Sequence, residues 1–402
     1  MKAIIQKIKK YLKMFKNLRS YKMADGKKAK AKIFLYGFFG QNLGDDLFFD
    51  YIFKRYPDTL FVIIFWPHYQ NFFSKYNNVR FYDMSRSVVS KFNAFGQKHN
   101  KPILFEQILL RCCDGMVHIG GSVYQQIANW QNDLIERDAR TKCAKNFFAI
   151  SNNFGPYFDD DYRKFWVEQF KKWNNISFRD KYSYNLFKDT NNNISYAPDL
   201  LFSYKPNTEI PTVNGKTSIS VIDPYMQTRD IPTEIADKYI SILGETAKML
   251  VADGKEVTFL NFCLLENDMS ATEKILSSLP EDVRSKIKVV NHSEDLHTLT
   301  GEIQSSEYII ATRFHASVLG FSFGKKVLPI CYSEKTVNML TDLNIDHYVR
   351  LNKLCELTAK QLYDILLKSK PVDISGVPAL AEKHFDALDK FIAKKHGTIV
   401  KN

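Results

Sequence analysis

The chain has 402 residues, 45% of them apolar, and its 56 Lys and Arg side chains exceed its 44 Asp and Glu side chains by 12. Residues 1–32 hold twelve basic side chains and one acid, a local charge of +11, so residues 33–402 carry +1 and lack the extended basic face that nucleic-acid binding requires. The composition excludes disorder across the body, and the longest apolar run, Leu60–Trp66, is far shorter than the roughly 20 residues of a transmembrane helix.

The first segment, residues 1–31, is predicted to be a basic amphipathic leader. Its apolar side chains recur at steps of three and four residues, typical of one helix face, with lysines between them: Ile4, Ile5, Ile8, Tyr11, Leu12, Phe15 and Leu18. Through residues 1–22 such a helix can bind an anionic membrane surface, or it can dock on the protein or stay partly disordered. Gly26–Lys32 is expected to be a flexible link. The leader lacks the apolar core of a secretory signal, so we expect a cytoplasmic protein, peripheral at the inner face of the cytoplasmic membrane if the leader binds lipid.

From Lys32 onward, short apolar runs alternate with helical periodicity. Four runs bounded by turn or polar residues predict strands buried on both faces: Lys32–Gly37, Leu60–Trp66, Asp114–Gly120 and Asn146–Asn152. Helical periodicity is found near three segments: Asp45–Arg55, Ile103–Cys112 and Asp160–Trp173. This alternation predicts a parallel sheet wrapped by helices, an N-terminal Rossmann-like domain at residues 32–205.

After a polar linker at residues 206–216 the same pattern begins again. Five further strands are predicted: Ser218–Ile222, Val257–Phe262, Ile287–Val290, Tyr308–Ala311 and Val327–Cys331. They place a C-terminal Rossmann-like domain at residues 217–345, and residues 346–402 have the pattern of helices that cap a sheet or cross back to the first domain. The predicted fold class is therefore α/β, with two Rossmann-like domains facing a cleft, and ligands are expected beyond the carboxyl ends of the strands.

Two loops at predicted strand ends contain the candidate ligand-binding backbone. The residues concerned are Gly40, Asn42, Gly44, Asp45, Gly120, Gly121 and Ser122. Glycines there permit tight turns and close approach of a ligand, and Asp45 is expected to cap the helix that follows. The spacing is not that of a dinucleotide-binding loop, and a plain glycine turn before a capped helix explains the first loop equally well.

Two arginines and one histidine are the candidate anion-binding residues. Arg179 follows a short apolar segment and stands beside Asp180, a pair that a structural salt bridge would also explain. Arg313 and His315 fall at a turn between a strand and a helix, where the helix N terminus adds its own positive end. Arginine binds carboxylate or phosphate through two N–H groups, and histidine moves a proton near neutral pH. The second pair therefore predicts phosphate or carboxylate chemistry, with capping or packing by His315 as the alternative.

Taken in order, short motifs from Gly37 to about Leu340 resemble those of the polysaccharide pyruvyl transferase family. The motifs are Asn42-Leu43-Gly44-Asp45, Gly120-Gly121-Ser122, Phe154-Gly155-Pro156, Ser177-Phe178-Arg179-Asp180, Pro198-Asp199, Arg313-Phe314-His315-Ala316, Tyr332 and Lys335. Asp46 stands where the family commonly has Glu, and Ser122 where a third Gly is frequent. The resemblance implies a fold similar to the GT-B glycosyltransferases, phosphoenolpyruvate as the pyruvyl donor, and a sugar hydroxyl pair as acceptor. The product would be a pyruvate ketal on a cell-surface polysaccharide or its lipid-linked precursor.

The resemblance also implies roles for single residues. Phosphoenolpyruvate would be bound by five residues: Arg179, Arg313, Phe314, His315 and Lys335. His315 is the candidate acid that protonates the methylene carbon, while the two arginines would hold carboxylate and phosphate and complete the catalytic set. We expect no metal and no cofactor besides this co-substrate, since the chain has no H-E-x-x-H motif and no C-x-x-C spacing. The alternatives are a GT-B-type glycosyltransferase using a nucleotide sugar and a non-catalytic glycan-binding or scaffold protein.

Overall fold

The computed structural model describes residues 16–293, 295–395 and 397, and its frame consists of two parallel β-sheets wrapped by helices. The first sheet has the order β3-β2-β1-β4-β5-β6-β7, with strands β1 Ala31–Tyr36, β2 Thr59–Phe65, β3 Val79–Asp83, β4 Gly115–Ile119, β5 Phe147–Asn152, β6 Asn175–Phe178 and β7 Ile194–Tyr196. The second has the order β10-β9-β8-β11-β12-β13, with strands β8 Thr217–Ser220, β9 Val257–Asn261, β10 Ile287–Asn291, β11 Tyr308–Ala311, β12 Lys326–Cys331 and β13 Val349–Arg350. Every strand pair in these sheets is parallel.

Helices connect the strands on both faces of each sheet. The first half contains α1 Leu43–Arg55, α2 Gln70–Ser74, α3 Ser87–Gln97, α4 Leu104–Arg111, α5 Trp130–Cys143, α6 Asp160–Phe170 and α7 Lys181–Phe187. The remainder contains α8 Thr233–Ala252, α9 Asp268–Ser277, α10 Glu281–Arg284, α11 Leu296–Ser305, α12 Phe314–Ser322, α13 Glu334–Asp342, α14 Ala359–Leu367, α15 Val377–Ala381 and α16 Asp386–Lys395. Short 3₁₀ turns lie at Pro67–Tyr69, Leu200–Ser203, Gln227–Arg229, Leu351–Glu356 and Glu382–Phe385.

The predicted α/β class with two Rossmann-like sheets is confirmed, and each of the nine predicted strands overlaps an observed one. The signal was strong because the inner strands are buried on both faces; in β2, for example, every residue except the last is buried. The structure adds four strands. β3, β7 and β13 are edge strands, and β6 has only four residues, so none of them forms a long apolar run. β13 extends the second sheet beyond residue 345.

The two halves pack directly against each other. One apolar cluster is continuous between them and includes Leu47 of α1 and Leu319 of α12. At the start of α1 the Leu43 amide donates to the Phe262 carbonyl oxygen at 3.0 Å, so this loop of the first sheet is bonded to the end of β9 in the second. The carboxyl ends of strands from both sheets therefore line the same cleft.

The chain crosses back to the first half after α14. Arg55 on α1 forms ion pairs of 2.6 Å with Glu382 and with Asp389, and the imidazole of His384 bonds the Ser177 hydroxyl at 2.7 Å. Burial lowers the pKa of His384 to about 4, so the ring is neutral at pH 7. The C-terminal segment thus packs against α1 and β6 of the first half and stabilises the strands that end at the cleft.

The predicted leader is described only from residue 16, so its apolar positions from Ile4 to Phe15 lie outside the described residues. Leu18 is 1% exposed and packs into the core of the first half, and its carbonyl oxygen accepts a hydrogen bond from the buried ammonium of Lys32. The prediction of a flexible link at Gly26–Lys32 is wrong. The Ala29 amide donates to the Tyr21 carbonyl oxygen at 2.9 Å, and the Lys30 amide donates to the Asp58 carbonyl oxygen at 2.9 Å, so the segment is paired with itself and bonded to the body. None of the described helices combines the length and apolarity needed to cross a membrane.

Candidate active site

A small cavity of about 120 Å³ lies where the strand ends of the two halves meet. Residues from both halves line it: Phe38, Asn42, Asp45, Gly121, Ser122, Gln125, Arg179, Phe262, Glu266, Arg313, Phe314, His315, Tyr332 and Lys335. Nine of the twelve residues predicted for the site are among them. The other three, Gly40, Gly44 and Gly120, lie just behind its wall. We call this cavity the charged pocket.

The loop between β1 and α1 forms one wall of the charged pocket. Asn42, not Asp45, caps α1, because its side-chain oxygen accepts the Gly44 amide at 3.1 Å while Asp45 sits inside the first turn. The expected capping role of Asp45 is therefore wrong. A side-chain carbon at Gly44 would overlap the His315 ring, so this glycine lets the imidazole approach the helix. Gly40 fixes the loop to the second half, where its carbonyl oxygen accepts from the Cys263 thiol at 3.2 Å.

Arg179 follows β6 and is held by several partners. It donates to Asp199 at 2.9 Å and to the Asn153 side-chain oxygen at 2.6 Å, and its guanidinium carbon lies 4.1 Å from the centre of the Phe314 ring. The expected alternative, a salt bridge with Asp180, does not occur, because Asp180 caps α7 through the Ser183 amide. One face of the Arg179 guanidinium lies on the Phe314 ring, and the other face lies close to the backbone of Gly121.

His315 lies beside Arg179 and Asp199. Its Nε2 is 3.4 Å from Arg179 Nη1 and 3.7 Å from Asp199 Oδ2. Burial lowers the pKa of the imidazole, and the charges of Arg179 and Lys335 lower it further against the opposing effect of Asp199. Burial would raise the pKa of Asp199, but its interactions with His315 and Arg179 prevail and lower it to about 2. Near neutral pH the imidazole is accordingly neutral and the carboxylate charged.

Arg313 is almost entirely engaged by carboxylates. Its Nε donates to Asp268 at 2.9 Å, and its two terminal nitrogens bond Asp268 and Glu266. Glu266 also accepts from Arg229; burial opposes its ionisation, but the two arginines lower its pKa to about 2. The Arg313 guanidinium lines the charged pocket, but the two carboxylates already balance its charge. The sequence predicts instead an arginine that is free to bind an anion through two N–H groups.

One ammonium and one carboxyl group of the charged pocket have no such partners. Neither Lys335 nor Asp45 forms an ion pair or a side-chain hydrogen bond with any described residue; the Lys335 ammonium lies 5.7 Å from the centre of the Tyr332 ring. Both residues stand in the first turns of helices, α13 and α1. The pocket thus offers one free ammonium and one free carboxyl group beside its committed ion pairs.

A larger cavity of about 780 Å³ adjoins the charged pocket, and we call it the open cleft. The two share four wall residues: Gln125, Glu266, Tyr332 and Lys335. Its remaining walls combine aromatic and polar side chains from both halves, among them Tyr157, Tyr182, Glu334 and Asn338. Tyr182 is 47% exposed, so an aromatic face is available to a bound molecule. Over the ranges that the structure describes, no group of three or more His, Cys, Asp or Glu residues is placed to hold a metal ion.

The sequence reasoning missed several residues of this region. Phe38, Gln125, Phe262 and Glu266 line the charged pocket without belonging to a motif that had been given a role. Glu266 could have been sought as a counter-charge, because an arginine buried at a strand end requires a carboxylate partner. Nothing in the local sequence pattern marks the other three.

Comparison with known structures defines the class of fold. The Anabaena protein HepE in complex with UDP-glucose is 10% identical, with a TM-score of 0.56 over 91% of this chain and 99% of that one. The UDP-GlcNAc 2-epimerase from Methanocaldococcus jannaschii is 11% identical, with a TM-score of 0.55 over 89% and 99% of the two chains. At this identity the likeness shows the fold alone, which is that of the GT-B glycosyltransferases and related epimerases.

The sequence identifies the family within that class. The family model described as polysaccharide pyruvyl transferase matches residues 42–334, and the chain belongs to this family. It is therefore a transferase, and the family name implies an acceptor of the polysaccharide type. No curated protein matches the chain.

Proposed function

We propose that the protein transfers the enolpyruvyl group of phosphoenolpyruvate to two hydroxyls of one sugar. The product is a pyruvate ketal on a cell-surface polysaccharide or its lipid-linked precursor. The observation that carries the proposal is the junction of two cavities: a small charged pocket opens, past Lys335 and Tyr332, into a cleft more than six times its volume. A small anionic donor and a large acceptor require this division of space. Family membership supports the same reaction.

The charged pocket suits the anionic groups of phosphoenolpyruvate. Lys335 supplies an uncommitted positive charge, and Arg179 adds a second guanidinium to the pocket wall, held there by Asp199 and Asn153. α12 begins at Phe314 without a capping side chain, and the backbone N–H groups of Ala316 and Ser317 bond the Arg313 carbonyl oxygen. Those of Phe314 and His315 have no partner among the described residues and are available to an anion. Phosphate and carboxylate would thus meet separate positive groups, while the balanced Arg313 shapes the wall.

The open cleft suits the saccharide acceptor. Sugars present apolar ring faces and many hydroxyl groups, and the cleft offers both the exposed ring of Tyr182 and polar groups such as Glu334 and Asn338. Because Tyr332 and Lys335 belong to both cavities, hydroxyls at the near end of the acceptor would lie next to the donor.

The reaction balances without a cofactor. The methylene carbon of the enol gains a proton, the central carbon forms bonds to two sugar oxygens, and its bond to the phosphate oxygen breaks with the electron pair leaving on phosphate. One hydroxyl proton replaces the proton given to carbon, and the other leaves with phosphate. Because burial keeps His315 neutral, we assign it the transfer of a hydroxyl proton to the departing phosphate in place of the protonation of carbon expected from the sequence.

The decisive experiment incubates the full chain with phosphoenolpyruvate and extracted lipid-linked saccharides. We expect phosphate release together with an acceptor mass gain of one pyruvate ketal, both abolished in Arg179→Ala. Thermal-shift titrations with phosphoenolpyruvate, UDP-glucose and UDP-GlcNAc test the alternative donor, a nucleotide sugar, which the fold also accommodates. Stabilisation by a nucleotide sugar alone, with transfer of a glycosyl group, would replace this proposal with a glycosyltransferase.

We also propose that the basic leader attaches the enzyme to an anionic membrane surface. The proposal is supported by the +11 charge of residues 1–32 and by the helical spacing of their apolar side chains. Since Leu18 packs on the body, a deletion of residues 1–15 leaves the docked part intact. The shortened chain should lose co-sedimentation with phosphatidylglycerol vesicles and keep its activity on a soluble acceptor. Unchanged co-sedimentation would show that the leader does not bind lipid.

A further inference from the structure

We propose that Asp45 is the proton donor of the reaction and delivers its carboxyl proton to the methylene carbon of phosphoenolpyruvate. This inference rests on the proposed function and names a catalytic residue for it. Asp45 lies in the first turn of α1, lines the charged pocket and is 7% exposed. Its carboxyl group makes no hydrogen bond or ion pair with any described residue.

The other carboxylates around the pocket are already paired. Asp199 is bound to Arg179, and Glu266 and Asp268 are bound to Arg313. Asp46, the neighbour of Asp45, bonds His292 at 2.7 Å and accepts from the Tyr69 hydroxyl at 2.9 Å. A carboxylate that neutralises a cation gives up its proton readily and is a poor acid. Asp45 is the pocket carboxyl group that is free to carry one.

The surroundings of Asp45 favour its protonated form. Burial raises its pKa, the charges of Asp46 and Glu266 raise it further, and Arg179 and Lys335 oppose them, leaving a pKa of about 8. The neutral imidazole of His315 adds no charge at pH 7. Phosphoenolpyruvate would bring negative charge into the same pocket and would thereby favour the protonated acid until carbon takes the proton.

The backbone opposite holds this carboxyl group in place. Gly120, at the end of β4, has φ +95°, and a side-chain carbon there would lie 3.1 Å from Asp45 Oδ1 and 3.1 Å from the Phe48 ring. The loop therefore passes directly over the carboxyl group, and the apolar Phe48 ring lies beside it. An acid fixed between backbone and an aromatic ring, with its free side toward the pocket, is positioned for proton transfer to a bound carbon.

The acid regenerates itself within one turnover. Proton transfer from Asp45 turns the methylene into a methyl group and leaves a cationic centre on the adjacent carbon. The first sugar hydroxyl bonds that carbon through oxygen and returns its proton to the Asp45 carboxylate. The bond to the phosphate oxygen then breaks with its electron pair, the second hydroxyl oxygen closes the ketal, and its proton leaves on phosphate through His315. No external oxidant, reductant or cofactor is consumed.

The test compares Asp45→Asn with Asp50→Asn in the full-length protein. Asparagine keeps the shape of the side chain and cannot donate an acidic proton. Asp50 is a buried acid on the same helix that accepts from Tyr76 and does not line either cavity, so it is a matched control. We expect Asp45→Asn to lower kcat by about 10²–10⁴-fold and to keep the thermal shift produced by phosphoenolpyruvate. Asp50→Asn should keep both.

A pH profile and an isotope measurement distinguish proton donation by Asp45 from a structural role of its side chain. Because the reactive form is protonated, kcat/KM of the wild type, which reports the free enzyme, should fall as pH rises through about 8, the pKa of this carboxyl group. The residual activity of Asp45→Asn should lack that fall. In D₂O the wild type should place deuterium in the ketal methyl group, and the variant should do so at the reduced rate.

The outcomes separate this inference from the proposed function. If the wild type forms no ketal from phosphoenolpyruvate, both fail. If the wild type forms it and Asp45→Asn keeps kcat within about threefold, the inference alone is overturned. Loss of the phosphoenolpyruvate thermal shift in a folded Asp45→Asn protein would also overturn it, because Asp45 would then act in binding.

Discussion

Replacing Gly121 by alanine tests whether the position of Arg179 controls activity. A side-chain carbon at Gly121 would lie 2.8 Å from Arg179 Nη2 and 3.0 Å from Nη1. Ordinary contact begins at 3.4 Å, so the guanidinium must retreat by about 0.6 Å, the difference between 3.4 and 2.8 Å. It cannot swing away freely, because Asp199, Asn153 and the Phe314 ring hold it on its other sides.

The magnitude follows from the hydrogen bonds that this retreat strains. The Arg179–Asp199 bond measures 2.9 Å, and lengthening by the same distance takes it beyond the roughly 3.2 Å limit of a good N–H···O bond. A hydrogen bond to a charged group contributes about 1.5–3 kcal/mol, so partial loss should lower the free energy of unfolding by about 1–2 kcal/mol. A displacement of about 1 Å at a reacting centre can cost about 10²-fold in rate, so we expect kcat/KM to fall by about ten- to a hundredfold.

Phosphate release measures the rate, and urea denaturation measures the stability. Gly376→Ala is the control, because a side-chain carbon there meets nothing within 4 Å and the backbone angle is unstrained. In an Arg179→Ala background the Gly121→Ala change should cost no further stability, since the clashing group is gone. An unchanged kcat/KM in Gly121→Ala, or an equal stability loss in both backgrounds, would refute the assigned role of the Arg179 position.

Three further changes have defined outcomes. Lys335→Met should raise KM for phosphoenolpyruvate at least tenfold, through loss of a charged hydrogen bond of about 1.5–3 kcal/mol, whereas Lys353→Met on the surface should not. The pKa of Asp199 is about 2 in the folded protein, below its ordinary 3.8. The ionised carboxylate therefore contributes about 2 kcal/mol to the free energy of unfolding above pH 4, and this contribution is lost as pH falls through 2. Asp199→Asn should remove that pH dependence in urea titrations. His384 is neutral in the folded protein and gains a proton on unfolding, so the free energy of unfolding should decline as pH falls from about 6.5 to 4. His384→Gln should abolish that decline.

Each of these three has an outcome that would contradict it. Equal KM values in Lys335→Met and wild type would remove Lys335 from donor binding. Parallel stability curves for wild type and Asp199→Asn between pH 5 and 2 would mean that the carboxylate is not held by His315 and Arg179. A His384→Gln protein with the full acid-induced decline would show that other groups cause it.

The sequence alone predicted the architecture because the inner strands of a parallel sheet are buried on both faces. That burial demands continuous apolar runs, and eight of the nine predicted strands are inner ones; the ninth, β10, is an edge strand. The edge strands β3, β7 and β13 are short or carry mixed residues, so they appeared only in the structure. The docking of Leu18 and the pairing of residues 21–29 were hidden because the local sequence is dominated by lysine, while the buried contacts come from the distant body.

In the candidate site, too, some features could be predicted from the sequence and others appeared only in the structure. That the motif residues converge could be predicted, because each follows a strand and the carboxyl ends of parallel strands share one edge. Their charge states could not, because the partners come from elsewhere in the chain: Asp199 for Arg179, and Glu266 with Asp268 for Arg313. The sequence by itself determined that the motif residues of both halves converge on one pocket. Only the tertiary structure decided which of their charges remain free, since burial and ion pairing depend on neighbours that sequence order does not reveal.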